Sequence, residues 1–282
     1  MNQNFIFKYQ KQKNFIYQIQ GATKLFFLLL VSIACMLIYN IWFLLGMSVF
    51  NSFLFLCAQI KWRQVEKIIK GFLLFLLINN LIIFLFFRKQ GIEIYQSQTW
   101  ILKNFITQEQ IFYQINLILK YLSVIPLFLI FIFTTNPSEL AASLNKWGIS
   151  YKISYSLALT LRYIPAIKKD FENISLTQQT RLLPASPKGN FISKIVSKIK
   201  KLTLIIPSLI FVNLDKIEII GNAMELRRFG KNKKRTWYYQ TKLTFLDVLT
   251  IFLGVHLLFL SIFLLMEYGR FYYPFVKKTP SN

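Results

Sequence analysis

Thirty-six consecutive residues, 25–60, contain no Asp, Glu, Lys, Arg or His. A helix crosses the roughly 30 Å hydrocarbon layer of a bilayer in about 20 residues, so this run is too long for one comfortable span. It predicts a tight hairpin of two helices turning near residues 39–43, with a single tilted helix carrying an interfacial extension as the alternative. The run commits the chain to a membrane, and composition agrees. With 55% apolar side chains and 29 Phe in 282 residues, the chain carries more nonpolar surface than a soluble domain of this length can bury.

Three further stretches are long and apolar enough to cross: 71–87, 115–134 with Lys120 near one end and Pro126 inside, and 243–266. The expected fold is an all-α polytopic membrane protein of about five transmembrane helices. Its organisation is a membrane region 1–134 with spans near 25–41, 42–60, 71–87 and 115–134, a polar helical insert 135–242, and a fifth span with a short tail in 243–282. Lys and Arg concentrate on the cytoplasmic side of membrane proteins, or the stromal side in a plastid. Grouping alternate segments puts 27 basic residues on the face of the amino terminus and insert, against 6 on the face of the carboxyl terminus. Five spans fit that asymmetry.

The first 24 residues hold Lys8, Lys11, Lys13 and Lys24 and no acid. They lack a short apolar core ending in small residues, and so read as a retained tail and not a cleaved signal. The net charge of +23 would suit a phosphate backbone. In a membrane chain, orientation and anionic headgroups account for it more simply, and nucleic acid is not an expected partner. Cys35 and Cys57 lie inside apolar runs and read as small hydrophobes, with neither a disulfide nor a metal pair implied. Asn79, Asn80 and His256, polar within spans, read as helix-packing hydrogen bonds. No acid falls at the centre of a span, which counts against a self-sufficient secondary transporter or channel, the main alternative. One His, scattered acids and no paired metal-ligand spacing count against an enzyme.

The insert reads as helices. Asn136 can cap, Pro137 suits the first helical position, Glu139 follows three residues after the cap, and Gly148 offers a stop. A second helix is expected from Ser150 to a break at Pro165. A third continues the stripe Ile167, Phe171, Ile174 and Gln178 to Arg181. After the basic run of Lys188, Lys194, Lys198, Lys200 and Lys201, residues 202–214 are apolar but too short to cross. A last helix, about 215–229, carries Ile220, Ala223 and Arg227 and stops at Gly230. Two helices thus end in arginine. Such a guanidinium can bond the last free carbonyls of its own helix, or reach outward as a planar fork into an acidic or carbonyl-lined groove.

Taken in order, these motifs resemble the transmembrane component of energy-coupling factor (ECF) transporters, the EcfT/CbiQ family. Ala22-Thr-Lys-Leu25 resembles the family's entry to the first span, and Phe133-Thr-Thr-Asn-Pro-Ser-Glu-Leu-Ala-Ala-Ser-Leu144 its Thr-Thr-x-Pro-x-x-Leu stretch. Leu161-Arg-Tyr-Ile-Pro165 is similar to its Arg-Phe-Ile-Pro element. Thr177-Gln-Gln-Thr-Arg-Leu182 resembles the first Ala-Arg-Gly signature, and Ala223-Met-Glu-Leu-Arg-Arg-Phe-Gly230 with Arg235-Thr236 the second. The resemblance implies a non-catalytic scaffold without cofactor, working with two ABC ATPase subunits and a small integral-membrane S component in uptake of a vitamin or transition metal. It implies ATPase docking by Arg181 and by Arg227 or Arg228, the register of Ala-Met-Glu favouring Arg227. Gln178, Thr180, Ala223, Met224, Glu225 and Gly230 are the implied supporting positions. Both signatures depart from the family by reading Thr180-Arg181-Leu182 and Leu226-Arg227-Arg228, which makes the implied docking surface bulkier. Abundant Phe, Ile, Lys and Asn suggest an AT-rich genome, suiting a plastid membrane as well as a bacterial plasma membrane.

Overall fold

A computed structural model describes residues 14–87, 90–95, 100–102, 106–181, 191–232, 236–237 and 243–274. The basic residues Lys8, Lys11, Lys13 and Lys188, and Leu182 and Arg235 of the two signatures, lie outside them. The described residues are all-α apart from one short antiparallel pair, β1 (Trp100–Leu102) and β2 (Ile106–Thr107). It divides into two compact units, residues 1–143 with 241–282, and residues 144–240.

The first unit is the membrane region. After the short α1 (Phe15–Gln18), the long apolar run is split at residues 38–40 into α2 (Gly21–Leu37) and α3 (Ile41–Cys57). Asn40 makes the turn possible, because its side-chain oxygen accepts the Trp42 N–H at 3.1 Å and the Phe43 N–H at 3.4 Å. Among the described residues, α4 (Trp62–Phe86), α6 (Gln108–Thr134) and α10 (Phe245–Tyr268) are the three helices long and apolar enough to cross a bilayer, with α2 and α3 as shorter apolar helices. α5 (Gln90–Tyr95) and the β pair link α4 to α6. The protein is thus an all-α polytopic membrane protein.

The core lies among α2, α3 and α6, where Val31, Ala34, Cys35, Leu44, Met47, Leu127 and Ile130 are buried together. Two polar side chains inside it bond across helices. Asn51 Nδ2 donates to the Ser123 carbonyl at 2.7 Å, and Ser123 Oγ donates to the Leu44 carbonyl at 3.1 Å. Lys120 is also buried. Its ammonium caps α2 by donating to the Met36 carbonyl at 3.1 Å, and lies 3.3 Å from the Tyr39 ring centre.

α10 shows two faces. Asp247, Gly254 and Ser261, seven residues apart, are its buried positions, and α10 packs closely on α2. Gly254 makes that approach possible, since a Cβ there would sit 3.0 Å from Phe27 Cδ2 and 3.1 Å from Leu30 Cδ1. Two sequence expectations fail in the spans. His256 is exposed and stacks on Phe252 at 6.5 Å; it turns away from α2 because the small residues, not the imidazole, occupy the packing face. The Asn80 side chain donates to Leu76 of its own helix, while Gln114 of α6 bonds the Asn80 backbone carbonyl.

α7 (Pro137–Lys146) starts as its sequence predicts, with the Asn136 side chain accepting the Ser138 N–H at 3.1 Å. It ends at Gly148, whose φ of +98° closes the turn. The second unit is built on α8 (Tyr151–Arg181) and α9 (Phe191–Leu226). α8 is continuous through Pro165, where sequence reading expects a break, and α9 joins the apolar segment 202–214, holding Pro207, and the helix expected from about 215 into one helix. Proline removes one donor and kinks a helix, but its fixed φ is helical, so flanking turns that pack laterally carry the helix through. The pairing is antiparallel: Lys216 bonds Asp170, and Phe229 packs its ring on Tyr151 and Tyr155 at 5.6 and 4.9 Å.

Candidate functional site

Both arginines singled out by sequence stand at carboxyl ends of long helices. Arg181 is the last residue of α8; its side chain is outside the described set. Ile174 and Gln178, upstream on the same register, are half-buried, while Glu172, Asn173, Gln179 and Thr180 are exposed. The face expected to be apolar therefore persists to one turn before the end. The Thr177 hydroxyl bonds back to the Asn173 carbonyl at 2.9 Å, and the Thr180 hydroxyl to the Thr177 carbonyl at 2.8 Å. Both are back-bonds to carbonyls one turn upstream, the usual resting place of a hydroxyl inside a helix.

At the end of α9, the Arg227 N–H still bonds the Ala223 carbonyl at 3.3 Å. Then the Phe229 N–H reaches back to the Met224 carbonyl at 2.9 Å, and the Arg228 N–H to the Glu225 carbonyl at 2.8 Å. This nested pair is a Schellman motif. The residue at its left-handed position is Arg228, with φ +52°, followed by Gly230 at +95°. A left-handed position is where glycine costs least. The carbonyls of Met224 and Glu225 are thereby closed by backbone donors.

Arg227 and Arg228 are both exposed, as are Ala223 and Glu225, and Met224 is half-buried. Two contributors escape sequence reading. Leu226, at 86% exposure, places a bare apolar side chain beside the arginines. Phe229 is the hydrophobic contact of the Schellman turn, anchoring it on the Tyr151 and Tyr155 rings; an aromatic just after a helix stop was the available signal. Gly230 lies against Lys152, whose Cε is 3.8 Å from where a Cβ would be.

The antiparallel register separates the two arginine ends. The α9 turn lies beside the start of α8, and Arg181 lies 26 residues beyond Tyr155, or about 40 Å along the helix at 1.5 Å per residue. One pair of helices thus carries two basic tips, one at each end. Among the described residues there is no cluster of three or more His, Cys, Asp or Glu able to hold a metal.

A family model described as CbiQ, cobalt transport protein, matches residues 12–239. Over 262 residues the chain is 27% identical to the energy-coupling factor transporter transmembrane protein EcfT of Staphylococcus aureus (strain 04-02981), spanning 89% of this chain and 92% of that protein.

Proposed function

The chain belongs to the CbiQ cobalt transport protein family, and on that premise we propose that it is the membrane scaffold of an ECF-type importer, joining ATP-hydrolysing partners to a substrate-binding membrane subunit. The observation that carries this reading is the pair of arginine ends, about 40 Å apart on one antiparallel helix pair. Two separated tips suit two separate grooves, one on each of two ATPase subunits. Arginine suits a groove lined by carboxylates or carbonyls because its donors form a rigid fork that stays charged. Arg181 and Arg227 are the docking residues, with Leu226 adding apolar contact beside the second.

The helix faces between the tips are rich in exposed apolar residues, among them Ile164, Ile167 and Leu176 on α8, and Ile206, Ile210 and Phe211 on α9. A surface of that kind marks an interaction site or a membrane contact, and it suits the small substrate-binding membrane subunit. ATPase closure would displace the tips, and the long helices would carry the displacement to that subunit.

The test is capture of purified ATPase subunits by the detergent-solubilised protein, with Arg181→Glu and Arg227→Glu singly and together. We expect each single reversal to weaken capture at least tenfold and the pair to abolish it. Undiminished capture by the double variant would overturn the docking assignment. ATP-independent transport by the chain alone would favour a self-sufficient carrier.

A further inference from the structure

α2 and α10 pack side by side and run parallel. The Gln20 N–H donates to Asp247 at their starts, and Phe27 and Leu30 meet Gly254 further along. On α10 the seam is made by Asp247, Gly254 and Ser261, at seven-residue spacing. The next place in that series is Tyr268, which is exposed. A phenol ring cannot enter a seam that a glycine and a serine fill, so the helices stop interlocking before their carboxyl ends. A groove of about 460 Å³ opens there, walled by Ile33, Met36 and Leu37 of α2 and Leu265 of α10, with Ser32 and Arg270 as its polar members. The Ser32 hydroxyl is spent on the Leu29 carbonyl of its own helix at 2.9 Å. Ile33 and Met36 are exposed, and on membrane helices such walls face acyl chains.

Backbone contacts hold Arg270 at the end of this groove. Gly269 ends α10 with φ +74°, and the chain then crosses to the turn between α2 and α3. There the Tyr39 N–H donates to the Arg270 carbonyl at 2.9 Å, and the Phe271 ring lies on Tyr39 at 4.7 Å and edge-on to Tyr95 at 6.3 Å. The guanidinium carbon is 5.5 Å from the Phe271 ring centre. Among the described residues no carboxylate pairs with it, and Glu267, one turn earlier, is exposed. Its donors are left for a ligand. Tyr268 and Tyr272 flank it, edge to face at 5.1 Å. Tyrosines at the ends of spans settle at the level of the headgroups, which is the depth of lipid phosphates.

We propose that the groove binds one anionic phospholipid, with an acyl chain along Ile33, Met36, Leu37 and Leu265 and the phosphate accepting hydrogen bonds from the Arg270 guanidinium. The apolar walls alone would take any hydrocarbon. The guanidinium selects the headgroup, because its planar fork matches two phosphate oxygens. A headgroup of net negative charge fits better than a zwitterionic one, whose cation would meet Arg270 and the Lys120 ammonium beside Tyr39. Bound so, the lipid bridges α2 and α10 where their small-residue packing stops. The site lies within the first unit and is independent of ATPase docking.

The test is native mass spectrometry of the full chain, purified in detergent and mixed with equal amounts of phosphatidylglycerol and phosphatidylcholine. We expect a first adduct of one phosphatidylglycerol, favoured about tenfold over phosphatidylcholine, the worth of one charge-assisted hydrogen bond. Arg270→Gln brings the two lipids to parity, and Arg270→Lys restores part of the preference. Met36→Trp fills the groove and lowers the first adduct of either lipid. Both side chains are exposed, so these variants keep the fold. Lys67→Gln removes an exposed cation of α4 and leaves the preference intact, and glycerol 3-phosphate, which has no acyl chain, does not displace the lipid. A preference absent from the unsubstituted chain, untouched by Arg270→Gln or equally lost in Lys67→Gln overturns the headgroup assignment. An undiminished adduct in Met36→Trp overturns the groove, and displacement by glycerol 3-phosphate makes the site one for a soluble anion.

Discussion

Arg228 holds the one position in its turn where a side chain is costly, at φ +52°. Left-handed backbone costs a non-glycine residue about 1 kcal/mol. Arg228→Gly is therefore expected to stabilise the second unit by about 0.5–1 kcal/mol, raising the thermal midpoint of the detergent-solubilised protein. The same variant separates the two neighbouring arginines. ATPase capture should survive Arg228→Gly and fall in Arg227→Ala; the reverse order of effects would reassign the docking role. Lys216 and Asp170 form an ion pair at 34% and 19% side-chain exposure. Partly solvated pairs are worth little, so a double-mutant cycle at these positions should give a coupling of about 0.5–1 kcal/mol, declining with salt.

Gly254 fixes how close α10 comes to α2, and substitution by Val should separate them. Overpacking of this kind typically costs about 1–3 kcal/mol, read as a lower unfolding temperature; Ala should cost less, since a single methyl asks the Phe27 ring and the Leu30 side chain to give by only a few tenths of an ångström. The elements themselves were unequally visible in the sequence. The start and stop of α7 could be read from Asn136, Pro137 and Gly148, because caps and left-handed turns depend on residues a few positions apart. The continuity of α8 through Pro165 and of α9 through Pro207 could not, because what holds each helix across its proline is its partner. Asp170 meets Lys216 from 46 residues away, a relation no local pattern carries. At the site, Arg181 and Arg227 were legible as helix tips by their period, whereas the left-handed Arg228 and bare Leu226 appear only once the backbone path is known. His256 was misjudged for the same reason: a helix with small residues at 247, 254 and 261 buries that face, and the ring is left on the other.

At the scale of the whole molecule, the five-span expectation groups 27 basic residues on one side and 6 on the other, so residues of the second unit should face the cytoplasm or stroma and the carboxyl terminus the opposite compartment. A single cysteine at Lys231 in a cysteine-free background should react with impermeant maleimide only in inverted vesicles. One at Tyr268 should react only from outside; labelling of both from one side would remove the five-span arrangement. The 17-residue length of α2 and of α3 bears on the surrounding lipid. At about 26 Å each, these two helices fall short of an average hydrocarbon layer. Where they cross the membrane, acyl chains beside the hairpin should compress to meet it, drawing headgroups inward on that flank. A shallow dimple is then expected there, and bilayers of shorter acyl chains should accommodate it with less distortion than thick, sterol-rich ones.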